Sequence, residues 1–352
     1  MLSVTKQEAQ EAPMNVLYAV SARGNPLYRG KFGLHGRYQT YGQHSFIYDL
    51  IAATSRRGVH VTLLVEGLSA FPLAEPLKEY SRVLEMDERP QVGPIDLILL
   101  DEPTDKLVAS LPSGSPIICI IHRKTSVYSQ EIQDRCDQFL CFTEAALEYQ
   151  STKIPPSKLR MIHHGIDLQR FRLANETRVR RKTQPNLLFY TRLDREEVTM
   201  WRILEQLLRC DVRLTMLGDG DAFWKISDQY GRELTLINHI PCHSIHNFLH
   251  HFDIVASAGR GVLEALACGL PALCAGYEYG GPVLPNNIRR HMEVNITGYR
   301  MAADLAGMGQ DIDTAMSLEP DTCRLMASEH GSVETFLDKL GIGETGVLPV
   351  VV

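Results

Sequence analysis

The chain has 352 residues, 44% hydrophobic and 22% charged, with 36 Lys and Arg against 42 Asp and Glu for a formal charge of −6. That length exceeds one typical core and predicts two domains, while the acidic balance argues against a dedicated nucleic-acid binder. No apolar run reaches the roughly 18 residues of a membrane span, and the opening MLSVTKQEAQEAPMN lacks the apolar core of a signal peptide. A soluble, cytoplasmic protein is the expectation. The eight cysteines (119, 136, 141, 210, 242, 268, 274 and 323) are scattered without C-x-x-C pairs. They predict reduced thiols acting as small hydrophobes.

In chain order, strands are predicted at 15–20, 59–66, 95–101, 117–122, 139–143 and 159–163. These runs are nearly continuous in apolar residues, as in a parallel sheet buried on both faces. Helical patterns fall between them at 45–55, with apolar Phe46, Ile47, Leu50 and Ile51, and at 144–152, with Thr143 as cap. The stretch 167–186 is polar, basic and aperiodic and reads as an interdomain linker. Beyond it the rhythm restarts, with strands at 187–191, 212–218, 233–240, 253–258 and 271–275. Helices are predicted there at 199–209, 221–230, 243–251 and 261–268. The expectation is α/β: two Rossmann-like, doubly wound domains, 14–166 and 187–340, facing each other across a cleft that holds the ligand.

Three glycine turns adjoin predicted strand ends or helix starts: Gly42-Gln43-His44, Gly218-Asp219-Gly220 and Gly259-Arg260-Gly261. Such turns let a backbone approach phosphate at a helix start. None has the spacing of a dinucleotide fingerprint or a P-loop, which removes support for NAD-dependent redox chemistry and P-loop phosphoryl transfer. In DIVASAGRGVLEALACGLPA (253–272), Glu264 sits early on the helix after the third turn. Physics alone leaves two roles open for it, capping the dipole or holding ribose hydroxyls.

This segment resembles the nucleotide-sugar motif of GT-B glycosyltransferases of the family-4 type, which are retaining enzymes with two Rossmann-like domains. Several other segments are similar to that family, in order. Gly42-Gln43-His44 matches its glycine-rich loop, and His122 its donor-sugar histidine. The run 157–171, with His164-Gly165-Ile166-Asp167 leading to Phe171, matches the domain junction. TRLDREE (191–197) matches the diphosphate turn, and LGDGDAF (217–223) the second glycine turn. The resemblance spans roughly residues 14–300.

It implies that Arg192 binds the donor diphosphate, Glu264 holds the ribose, and the Gly261 and Val262 N–H groups face phosphate. His122 would bond a hydroxyl of the donor sugar, and Gly218, Asp219 and Gly220 would line the donor site. Gly42 would close over the donor, with Gln43 and His44 on the acceptor side. The partners implied are a nucleotide diphosphate sugar as co-substrate and a saccharide, lipid-linked or small-molecule acceptor, with no metal and no separate cofactor. Two departures stand out. The family places a lysine five positions after its arginine, where this chain has Glu197; Arg195 is the nearest substitute. The family's upstream glutamate is replaced by Ala256, and Arg260 is a candidate second diphosphate cation.

The competing readings are a glycosyltransferase-like partner subunit without transferase activity and a sugar-nucleotide epimerase or phosphorylase, which lacks the junction and arginine turn. His239, His243, His246, His250 and His251 invite a zinc reading, but a solvated surface helix is preferred. Arg56-Arg57 and 178–182 could give weak peripheral membrane contact, with solvation preferred. Tyr277 and Tyr279 lie on a turn-rich loop that could touch sugar or be structural. Residues 24–42, rich in Gly and Tyr, suit an acceptor loop or a lid.

Overall fold

The computed structural model describes residues 13–22, 42–88, 93–122, 124–173, 184–193, 198–220, 222–301 and 303–343. Seven strands form the first sheet: β1 (Asn15–Ser21), β2 (His60–Glu66), β3 (Arg82–Glu85), β4 (Leu97–Asp101), β5 (Ile117–Ile121), β6 (Gln138–Cys141) and β7 (Leu159–Met161). Their order is β3-β2-β1-β4-β5-β6-β7, parallel throughout. β4 and β5, LILLD and IICII, are buried at every position, as a sheet covered on both faces requires. The helix Gly42–Arg56 starts three residues before the predicted 45 and buries an unbroken run from His44 to Thr54.

The second sheet contains β8 (Asn186–Tyr190), β9 (Arg213–Leu217), β10 (Thr235–Ile237), β11 (Ile254–Ser257), β12 (Ala272–Ala275) and β13 (Tyr279–Pro282). It is ordered β10-β9-β8-β11-β12-β13, parallel except for antiparallel β13. The edge strands β3 and β13 were not predicted. RVLE is only partly buried, and YGGP contains no apolar run. The α/β class with two doubly wound sheets is as expected.

Two passages join the halves. Part of the predicted linker, 174–183, lies outside the described residues. Its first residues are built into the core, with Asp167 and Phe171 buried. The chain also returns. After the helix Pro320–Gly331, the last helix, Val333–Lys339, packs Val333, Phe336 and Leu337 into the core of the first sheet. Arg57 fastens that return through Glu334, Asp338 and the Ile342 carbonyl. Arg324 holds the other end, donating to the Ala267, Phe171 and Leu168 carbonyls. The eight cysteines are free thiols, and all but Cys210 are buried.

Outward and returning segments touch at Gly165. A Cβ there would lie 2.3 Å from the Val333 nitrogen and 2.4 Å from the Ser332 carbonyl carbon, both backbone atoms. Only glycine lets the two passages lie this close. Gly165→Ala is expected to destabilise the protein by about 1–3 kcal/mol through overpacking, measured as a lower denaturation midpoint. An unchanged midpoint would show that the two passages separate freely.

Candidate active site

In the second sheet the chain leaves β8 toward β9 on one side and β11 toward β12 on the other, so the sheet's switch point lies between β8 and β11. Ligands of such sheets bind beyond the strand ends at that point. There an open cleft of about 200 Å³ is lined by the ends of β8, β9 and β11 and by Gly42 of the first helix. Glycine is required at two lining positions. A Cβ on Gly218 would fall 2.1 Å from the Thr191 carbonyl oxygen, and one on Gly261 2.2 Å from Ser257 Oγ. The Ser257 hydroxyl donates to the Tyr190 carbonyl at 2.6 Å, which draws the two strand ends together. Gly259 adopts φ 55° and ψ −125°, a conformation open mainly to glycine.

Of the residues singled out in the sequence, Gly42, Arg192, Gly218, Asp219, Arg260, Gly261 and Glu264 meet in this cleft. Gly220 and Val262 are buried and do not line it, and Val262 belongs to the second core. The Gly261 and Val262 N–H groups, expected to face phosphate, donate instead to the Ala258 and Gly259 carbonyls at 3.2 Å, because the turn closes on itself. Asn238 lines the cleft without having been singled out, and His239 joins it. Arg195 and Glu197 lie outside the described residues.

Arg260 does not stand open as a diphosphate cation. Its guanidinium pairs with the Asp49 carboxylate of the first helix, donates to Glu264 Oε1 at 3.1 Å, and donates to the Gly165 carbonyl at 2.5 Å. The cause is Asp49, wholly buried in the first helix and in need of countercharge. Arg170 supplies more, with Nε 2.7 Å from Asp49 Oδ1, and also donates to the Cys242 carbonyl. The Asp167 N–H donates to Asp49 at 3.1 Å, and Arg56 pairs with Asp167 at 2.8 Å. Ser45 completes the group by donating to Glu264 Oε1 at 2.7 Å.

Three carboxylates thus face three guanidinium groups at the joint between the sheets. Burial pushes the Glu264 carboxyl up, against the opposing pull of Arg260 and Arg170. Burial raises Asp167 as well, helped by the nearby Asp49 charge. For Arg170 burial works against the charge, but Asp49 and Glu264 outweigh it and the guanidinium is held more firmly protonated. Arg56 and Arg57, partly exposed, form ion pairs within the chain, Arg56 with Asp167 and Arg57 with Glu334 and Asp338. The basic run 178–182 lies outside the described residues.

His122 follows β5 and is absent from the cleft lining. Its Nε2 lies 2.7 Å from Asp101 Oδ2, and its ring sits 5.7 Å from Phe46 and 5.3 Å from Phe142, centroid to centroid. Gln43 and His44 turn inward rather than toward an open acceptor side. Gln43 donates to Asp101 Oδ1 at 2.7 Å, and His44 is buried beside Phe71. His164 is the link between the two groups: its ring lies 5.3 Å from that of Phe142, and it feels the Arg260 charge. Burial lowers both His44 and His164 to about 3, with Asp101 opposing the shift at His44 and Arg260 adding to it at His164.

Sequence reading missed Asp49, Asp101 and Arg170. Asp49 carried a usable signal, a lone charge inside the apolar run FIYDLIAA. The histidine-rich segment forms a turn, Cys242–Ser244, and the helix Ile245–Leu249. Among the described residues no group of three or more His, Cys, Asp or Glu side chains is arranged to hold a metal ion. Tyr279 is buried and donates to Asp311 at 2.9 Å, while Tyr277 is exposed. No helix among the described residues is long and apolar enough to cross a membrane.

No protein-family model matches the chain, and no curated protein matches its sequence. Solved structures do resemble it. Alr3699/HepE of Anabaena, in complex with UDP and glucose, is 16% identical with a TM-score of 0.58, over 93% of this chain and 98% of that one. AviGT4, a glycosyltransferase involved in avilamycin A biosynthesis, is 16% identical with a TM-score of 0.57, over 93% and 97%. MurG of Acinetobacter baumannii is 12% identical with a TM-score of 0.50, over 94% and 99%. The chain has the GT-B glycosyltransferase fold.

The buried histidines set a pH dependence. A histidine depressed from 6.5 to about 3 contributes stability that is full above its unfolded pKa and lost as pH falls toward the folded value. The loss runs at up to about 1.4 kcal/mol per pH unit for each proton. Between pH 6 and 4, His164→Gln is expected to show a shallower fall of unfolding free energy than the parent, by about one proton. Equal slopes in denaturant titrations would contradict the assignment.

Proposed function

We propose that the chain is a retaining glycosyltransferase that moves a hexosyl unit from a UDP- or GDP-sugar to a carbohydrate, lipid-linked or small-molecule acceptor. The observation that carries the reading is the cleft at the second switch point, where Arg192, two required glycines and a buried carboxylate converge. The fold likeness to a protein crystallised with UDP and glucose supports it.

In this reading Arg192 engages the diphosphate and offsets the charge that develops on it as it leaves. Glu264, oriented by Ser45 and Arg260, accepts a ribose hydroxyl, while Gly42 closes the donor side from the first domain. Gly218 and Asp219 flank the nucleotide. Arg260 acts behind the site by holding Glu264 and Asp49. The acceptor oxygen bonds to the anomeric carbon on the face from which the phosphate oxygen departs with its electron pair, and the acceptor proton passes to that phosphate. Arg192 supplies the positive charge in place of a metal. The reaction takes place in the cytoplasm.

A second reading, a GT-B partner subunit without turnover, draws on the Arg260 contacts, since a guanidinium given to Asp49 and Glu264 is withheld from phosphate. Thermal shift with UDP and GDP, followed by donor hydrolysis with their sugars, separates the two. Transfer predicts a raised midpoint with one nucleotide, slow hydrolysis of its sugar, and a product with the donor's anomeric configuration by NMR. Arg192→Ala is expected to lower kcat/KM by about 100-fold or more. No shift and no hydrolysis with any donor would favour the partner subunit.

A further inference from the structure

The switch point of the first sheet lies between β1 and β4, and it holds a carboxylate. Asp101, the last residue of β4, is wholly buried. Three side chains from three elements converge on it. Tyr18 of β1 donates its hydroxyl to Oδ2 at 2.8 Å, Gln43 in the first turn of its helix donates to Oδ1 at 2.7 Å, and His122 Nε2 lies 2.7 Å from Oδ2. A buried carboxylate is tolerable only when its lone pairs are met, and here a tyrosine, a glutamine and a histidine meet them.

We infer that Asp101 is a positioning residue that fixes the tautomer of His122, so that His122 Nδ1 accepts a hydrogen bond from a hydroxyl of the bound sugar. The inference rests on the transferase reading for the identity of that hydroxyl, but the tautomer stands on contacts alone. A carboxylate can only accept, so the imidazole nitrogen facing it must carry the proton. In a neutral imidazole the lone pair is then on Nδ1. Phe46 and Phe142 pack against the ring at steep angles, 71° and 56°, and limit its rotation. Tyr18 and Gln43 hold the carboxylate, so His122 is oriented through two layers of contacts.

The chemical consequence is selectivity. An Nδ1 lone pair beside a fixed negative charge welcomes a hydroxyl, which donates, and repels a phosphate, which cannot. The flipped tautomer would present a donor and lose that hydroxyl contact. The first switch point therefore suits the neutral sugar ring, and the diphosphate is left to the second.

Nitrogen-15 NMR of histidine-labelled protein without ligand reads the tautomer directly. The expected result is His122 in the Nε2–H form in the parent. Asp101→Asn, whose amide can donate, is expected to shift it toward Nδ1–H, and Tyr18→Phe to shift it partly. An Nδ1–H or evenly mixed His122 in the parent overturns the proposal, even if the Asp101 variant fails to fold. In turnover, Asp101→Asn is expected to lower kcat by about tenfold or more while the donor KM stays within about twofold. An unchanged kcat would overturn the positioning role. Absence of turnover by the parent with every donor would overturn the transferase reading, and the ligand-free spectrum would be unaffected by it.

Discussion

One buried charge organises the joint between the two sheets. Asp49 sits on the inner face of the first helix, wholly shielded from water, and a carboxylate there is intolerable without partners. Arg260 reaches it from the second domain, and Arg170 from the segment between. Such a cluster adds little net stability over an apolar joint of the same volume, because desolvation offsets attraction; removing one partner alone costs about 3–5 kcal/mol. Its value is registry. Arg260 and Arg170 cannot satisfy Asp49 unless the two halves meet in one arrangement, and that arrangement seats Gly42 against Arg260 at the mouth of the cleft.

The two switch points have complementary chemistry. The second has glycines where strand ends crowd, an exposed Arg192, and the start of the helix Arg260–Ala267. The first has Asp101, with a tyrosine, a glutamine and a histidine around it. In the transferase reading the second suits the diphosphate and the first a sugar hydroxyl. His164 stands between them, near Phe142 on one side and within the field of Arg260 on the other.

The interior of the fold was legible because short, nearly continuous apolar runs bounded by turns suit strands buried on both faces of a sheet. β1, β4, β5, β8 and β11 fall within a few residues of their predicted spans. β3 and β13 escaped because an edge strand needs no such run. The return of the last helix to the first core escaped for another reason: its apolar face is generic, and nothing local says which core it will join. The same limit applies to the site. Glycine turns and Arg192 announce themselves by type and spacing, and they do meet in the cleft. Arg260 also lines the cleft, but its partner Asp49 lies 211 positions away. Sequence spacing cannot reveal which of several charges such an arginine will neutralise. Val262 and the inward-turned His44 show the same gap between position along the chain and direction in space.

The dependence of both halves on the Asp49–Arg260 contact is most directly measured by a double-mutant cycle in denaturant unfolding, with Asp49→Ala, Arg260→Ala and the pair. If the contact sets the joint, each single change costs several kcal/mol and the double change costs much less than their sum, leaving a coupling of about 1–3 kcal/mol. Strictly additive losses would contradict it, and would mean that the joint is set by contacts other than this pair.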